Sequence, residues 1–307
     1  MTRDDKGIAA LLILFHHMSQ HINVPPFAII MRYIGFIMVA VFFFISGYGL
    51  IIGFTDRKGY LQGFLKRRIL PLMIPYWIIN IICIVVSVSS GTIYTGVDYV
   101  LSVFGFDTIS SCWFVASIII MYLMFWLSFK CFKRKAKLVL ACQVFTYCII
   151  CTIAGLHSSY TASIGAFILG IYWNQIEGRI LNIFRRHYFT SLAISMMVFA
   201  GLFFGRLFLS TKGIEQIELH IILRNLCSIS FVLVLISLTQ KVYFTGRVLD
   251  FLGDISYELY LVQALTIPIL TFLQGEIGIV STIILTVLLG WSLHGISKRA
   301  KKLIYPL

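Results

Sequence analysis

The sequence predicts an all-α integral membrane protein, a polytopic bundle of about ten transmembrane helices with both termini cytoplasmic, and three observations carry that prediction. Hydrophobic residues make up 59% of the 307 and charged residues only 12%, with a mean hydropathy of +0.94, whereas an average soluble domain is about 25% charged. Apolar stretches long enough to cross a hydrocarbon layer of roughly 30 Å recur along the whole chain. The cations also fall on one side. With the amino terminus placed inside and alternate loops assigned to the cytoplasm, all but Arg32, Arg206, Lys212 and Arg224 of the 25 Lys and Arg residues lie inside, as cytoplasmic loops require. The same placement explains the net charge of +13 without a nucleic-acid partner.

Taken in order, the apolar stretches run over 8–24, 28–54, 69–89, 113–132, 138–156, 160–176, 189–210, 220–240, 256–273 and 278–296. The loops between them are short and carry no low-complexity tract or linker, so residues 1–307 read as one integral membrane domain. The first stretch lacks a small-residue cleavage site, and it is expected to stay as an anchor. Seven cysteines fall mostly inside predicted helices without zinc-like pairing, and the CxxC of Cys148 and Cys151 lies in an apolar helix with no partner pair. No metal is expected.

The first helix concentrates polar groups, which are costly in a membrane and tend to be functional or paired. Lys6 and His17 stand eleven positions apart; at roughly 100° per residue they return to within about 20° of one direction while the axis advances roughly 16 Å. One helix face therefore carries a cation at the membrane edge and an imidazole near half depth. A cation there can hold an anionic ligand, and an imidazole suits proton transfer near neutral pH. Ser19, Gln20 and His21 follow. His21 shares the face of His17 at four-residue spacing, and a structural hydrogen-bonding role or a His17–His21 metal pair are the competing readings. His16 points about 100° away.

The second helix reads FFFISGYG over 42–49. Ser46 and Gly47 interrupt a bulky run, and small residues permit close helix contact; Ser46 is also a candidate polar group of the site. Lys66, Arg67 and Arg68 then precede Pro71, Pro75, Tyr76 and Trp77. Adjacent cations at a helix start can bind phosphates, mark the inside loop, or contact the headgroups of membrane lipids.

These residues resemble the membrane acyltransferases of the type 3 group, which O-acylate cell-surface polysaccharides, peptidoglycan and small molecules. That family opens with a basic residue, ten intervening positions and a histidine, matched by KGIAALLILFHH from Lys6 through His17. Its phenylalanine-rich run ending in Ser-Gly is matched over 42–47, and its basic helix start with Pro and Tyr over 64–77. WFV at 113–115, AFILGIYW at 166–173 and GDISYELYLVQ at 253–263 resemble later family segments in the expected order. Two positions depart: Pro71 stands where many members have a second arginine, and Gln263 where members commonly place a histidine.

The resemblance implies transfer of an acyl group, most often acetyl, from cytoplasmic acetyl-CoA or another acyl-CoA to a hydroxyl of a cell-envelope glycan, a lipid-linked acceptor or a small molecule at the cell membrane. Lys6, Arg67 and Arg68 are then the expected phosphate cradle for coenzyme A. His17 is the expected catalytic group, as general base or as a covalent acyl carrier. Ser46, Gln20, His21, Tyr257 and Gln263 are candidates to support it. A small-molecule transporter or uptake domain of the same fold, without transferase activity, is the alternative from another class.

Overall fold

The computed structural model describes residues 3–22, 27–106, 109, 112–212, 217–273 and 275–304, and all the regular structure among them is helical. In chain order the helices are α1 (Arg3–Met18), α2 (Phe27–Asp56), α3 (Phe64–Ser89), α4 (Gly96–Val103), α5 (Trp113–Cys131), α6 (Ala136–Ile153) and α7 (Gly165–Arg186). They continue as α8 (Tyr188–Thr211), α9 (Ile217–Leu238), α10 (Arg247–Asp254), α11 (Ser256–Thr266), α12 (Ile269–Phe272) and α13 (Gly275–Ile304). A backbone that meets no water must satisfy its own N–H and C=O groups, and a helix does so within one segment.

Each of the ten apolar stretches is mostly helix among the described residues, but fewer satisfy the requirements of a span on their own. Among the described residues seven helices are long and apolar enough to cross a membrane, or up to eight if α10 and the segment that follows it, bent by 73°, count as one. The bent segment counted, the remaining difference from the expected ten comes from α1 and α7. The 16 residues of α1 reach about 24 Å at 1.5 Å per residue, short of a straight crossing. Along α7 the second half carries Glu177, Arg179, Arg185 and Arg186, so only one of its faces is apolar.

The chain divides into two compact units. The first comprises Phe36–Gln62 and Leu123–Thr245. Here α8 lies along α9, and α7 packs against both. The small residues expected to permit close contact do so: a Cβ on Gly47 would lie 2.3 Å from the Phe167 carbonyl oxygen, and one on Gly170 would lie 2.4 Å from that of Phe44. Backbone thus meets backbone where α2 crosses α7. Asn225 of α9 ties the start of α7, accepting from the Gly165 N–H at 2.8 Å and donating to the Thr161 carbonyl at 2.8 Å.

The second unit comprises Thr2–Gly35, Gly63–Tyr122 and Gly246–Leu307. Here α1 packs against α10 and α11, and α11 against α13 and α3. A Cβ on Gly7 would lie 2.4 Å from the Leu249 carbonyl oxygen, so α1 and α10 also touch through backbone. The core gathers Tyr76, Val115, Leu261 and Val262. Neither Pro71 nor Pro75 ends α3, because neighbouring groups can bond the carbonyls that a proline leaves without a donor. The carbonyls so freed are those of Arg67 and Pro71; next to them, the Tyr257 hydroxyl donates to the Leu72 carbonyl at 2.9 Å. The short α4 is closed by a capping box in which Thr95 donates to the Asp98 carboxylate through its hydroxyl and its N–H. Those two bonds hold the Asp98 carboxyl below the usual carboxylate range.

Because a carbonyl held in a helix cannot yield as a flexible side chain can, Gly47→Ala is expected to destabilise the protein by about 1–3 kcal/mol, the cost of overpacking. A Cβ on Gly49, two residues on, meets nothing within 4 Å. Gly49→Ala should leave stability unchanged or raise it, and thermal unfolding of the two detergent-solubilised variants makes the comparison.

Candidate active site

Two walls of the second unit enclose a cavity of about 300 Å³. One wall comes from the end of α1 and the turn after it. The Ser19 hydroxyl donates to the His16 carbonyl at 2.6 Å, and the N–H groups of Gln20 and His21 donate to the carbonyls of His17 and Met18. This tightening bends the chain immediately after α1 and brings Gln20 and His21 beside His17 at the cavity. His17 and His21 therefore face one space even though the helix ends between them.

The other wall is one face of α11 and its exit. Tyr260, Gln263, Ala264 and Ile267 line it at the spacing of three, four and seven residues that keeps side chains on one helix face. Pro268 lies at its end; Ile267 is still helical, its N–H bonded to the Gln263 carbonyl at 3.0 Å, but Pro268 has no N–H to continue the ladder, and α11 stops at Thr266. Ile267 and Leu270 pack on Leu14 and Met18, which holds the two walls together. Tyr260 is fixed from outside: its hydroxyl accepts the Phe114 N–H at 3.2 Å, and its ring meets that of Phe114 edge-on at 5.8 Å.

Four residues expected from the sequence, His17, Gln20, His21 and Gln263, thus meet in one cavity. Tyr257 uses its hydroxyl on Leu72 one turn before Tyr260. Lys6 sits in the first turns of the unbroken helix that carries His17. Arg67 and Arg68 occupy the first turn of α3. Ser46 belongs to the first unit.

His16 has a different setting from His17. Its ring nitrogen Nδ1 bonds the Met31 carbonyl at 2.9 Å, and Gly35 is so close that a Cβ there would lie 2.2 Å from the ring. Gln20 reaches the other ring nitrogen of His16 at 3.3 Å. His16 is therefore a clamp between α1 and the start of α2, and it steadies Gln20 at the cavity wall.

Gln263 brings an unpartnered amide to the cavity. It is 5% exposed, and neither its amide nitrogen nor its amide oxygen has a hydrogen-bond partner. Sequence reasoning missed Tyr260, although its three-residue spacing from Gln263 places it on the same face. It also missed the buried Glu258, whose carboxylate meets His294 of α13 at 3.2 Å; that partnership joins residues far apart in the chain and has no local signature.

An unpartnered buried amide costs roughly 1–3 kcal/mol. Gln263→Met, which keeps the volume and removes both orphan groups, is therefore expected to raise the unfolding temperature. A drop instead would mean that the amide is bonded in the folded protein.

The comparisons with known proteins bear on the whole chain. No curated protein and no solved structure matches it. One family model, described as an acyltransferase domain, matches residues 6–295, beginning at Lys6 and taking in both cavity walls. Nearly all of the chain is covered by that match, and the protein belongs to the acyltransferase type 3 family.

Proposed function

We propose that the protein is an O-acyltransferase of the cell membrane, which moves an acyl group, most often acetyl, from cytoplasmic acyl-CoA to a hydroxyl of a cell-envelope glycan, a lipid-linked acceptor or a small molecule. The observation that carries this reading is the meeting of His17, Gln20, His21 and the unpartnered Gln263 around one cavity in a chain of the acyltransferase type 3 family. The bundle is read with about ten spans and both termini in the cytoplasm, the shorter α1 and the amphipathic α7 crossing with the support of their neighbours.

In the direct route, the His17 imidazole takes the proton of the acceptor hydroxyl as its oxygen attacks the thioester carbonyl. The C–S bond then breaks, and the imidazolium returns the proton to the leaving CoA sulfur. In the covalent route a His17 ring nitrogen attacks the thioester carbonyl, the C–S bond breaks and CoA leaves as the thiolate; the acceptor hydroxyl then attacks the acyl-imidazole, its C–N bond breaks, and the proton of the hydroxyl ends on the CoA sulfur. Either route develops negative charge on the carbonyl oxygen, and a donor aimed at that oxygen lowers the barrier. The Gln263 amide, standing where members commonly place a histidine, is such a donor, and Gln20 is a second. Lys6, Arg67 and Arg68 are the groups proposed to hold the phosphates of the co-substrate.

One observation favours transport instead. The 73° break between α10 and the segment beginning at Ser256 interrupts a membrane-length segment, as discontinuous helices do at carrier binding sites. Accumulation of a solute in proteoliposomes without any dependence on CoA would decide for that reading.

Acetyl-CoA turnover by nanodisc-embedded protein, with cell-envelope extract as acceptor, tests the enzyme. His17→Ala should abolish turnover while the unfolding temperature stays at the wild-type value. His16→Ala should do the reverse, lowering stability by about 1–2 kcal/mol through loss of the Met31 bond and a packing void, with much of the turnover kept. Equal effects of the two substitutions would refute the assignment of distinct roles.

A further inference from the structure

The first unit holds a separate cavity of about 460 Å³ between the end of α2, the α5–α6 junction and the middle of α7. Three cations face it, Lys133, Arg134 and Lys137, together with Tyr172, Asn174 and Gln175 of α7. No Asp or Glu is among the described residues that line it. Glu177, three residues beyond Asn174, is occupied, since its carboxylate accepts from the Tyr48 hydroxyl at 2.7 Å. The lining also includes the apolar Ile51, Phe54, Phe129 and Leu138.

Loop cations on a membrane protein are ordinarily solvated and serve topology alone. Two features set these apart. Lys137 is held in place, donating to Asn174 Oδ1 at 2.7 Å with its ammonium 5.5 Å from the centre of the Tyr172 ring. Lys133 has a φ of 36°, and it is the one positive-φ residue other than glycine among the described residues. That position follows the end of α5, where glycine is the usual occupant because it has no Cβ to clash. A lysine there stores strain of order 1 kcal/mol, and strain kept in place of the easy residue points to a task for the side chain.

We propose that this cavity binds a phosphate ester carried on an apolar or aromatic body. The Arg134 guanidinium and the Lys133 ammonium supply charge-assisted bonds to phosphoryl oxygens. Lys137, already oriented by Asn174, completes the cation cluster, and the Phe54 and Phe129 side takes the uncharged body. Two sources share this chemistry: the phosphorylated nucleoside of a CoA-type co-substrate, and the headgroup of an anionic phospholipid. The nucleotide source rests on the proposed acyltransferase reading, whereas the lipid source does not presuppose acyl transfer.

Equilibrium dialysis of the full-length, detergent-purified protein against radiolabelled adenosine 3′,5′-bisphosphate tests the nucleotide source. Native mass spectrometry in phosphatidylglycerol against phosphatidylcholine tests the lipid source. Retention of the bisphosphate that falls in Lys133→Gly and Arg134→Gln supports the proposal and assigns a nucleotide; selective retention of phosphatidylglycerol that falls in the same variants supports it and assigns a lipid, and retention that neither variant weakens overturns it. Lys133→Gly and Arg134→Gln are each expected to weaken the retained probe about tenfold, the loss of one hydrogen bond to a charged group. Lys133→Gly should also unfold at the wild-type temperature or higher, because glycine relieves the strained φ. Wild-type protein that retains neither probe overturns the proposal. So does Lys133→Gly with lowered stability and unchanged binding, which would make Lys133 a structural residue of the helix junction.

Discussion

The cost of leaving a polar group without a partner away from water is the constraint on which the rest of this structure depends. An unbonded amide or hydroxyl loses several kcal/mol in hydrocarbon, so all the regular structure among the described residues is helical and side chains bond nearby backbone. The hydroxyls of Thr55, Thr152 and Thr286 each donate to the carbonyl one turn earlier. Thr266 pairs with Thr286 at 2.7 Å, and Glu258 with His294 at 3.2 Å. Other buried polar atoms, such as Asn80 Oδ1 and the hydroxyls of Ser237, Thr282 and Ser297, also go without a partner, but Gln263 leaves both ends of its amide unpartnered at the edge of a cavity.

Close helix crossings set the framework within which that exception is held. In the second unit α1 meets α10 through the backbone at Gly7, and α1 meets α11 and α12 through Leu14, Met18, Ile267 and Leu270. His17 and Gln263 sit at the edges of these contacts, on elements fixed by packing rather than on a free loop. A site on rigid elements keeps its groups oriented before substrate arrives. The His16 clamp on Met31 and Gly35 adds to this: one of two adjacent histidines anchors the helix and leaves the other at the cavity.

Much of this was legible in the sequence. The ten apolar stretches are mostly helix among the described residues, and the first-helix cluster His17, Gln20 and His21 does border one cavity, because residues close in sequence at the end of a helix stay close in space. The number of self-sufficient spans was less legible, since hydropathy alone does not register that α1 stops at Met18 or that the second half of α7 is charged on one side. Tyr260 and the Glu258–His294 pair were missed: the meaning of each lies in a partner more than thirty residues away. Lys133 looked like any loop cation until its backbone conformation was known.

The sequence by itself determined that the protein is a helical membrane protein of the acyltransferase type 3 family, because composition, apolar period and ordered motifs are properties of the chain read in line. Only the tertiary structure decided that Gln263 borders the cavity of His17 with its amide unbonded, that His16 is a clamp, and that Lys133, Arg134 and Lys137 share a cavity with α7. Those facts depend on which helices touch. Contact between distant segments follows from the best compromise among backbone crossings at glycine, side-chain packing and polar satisfaction, and no local stretch of sequence contains that compromise.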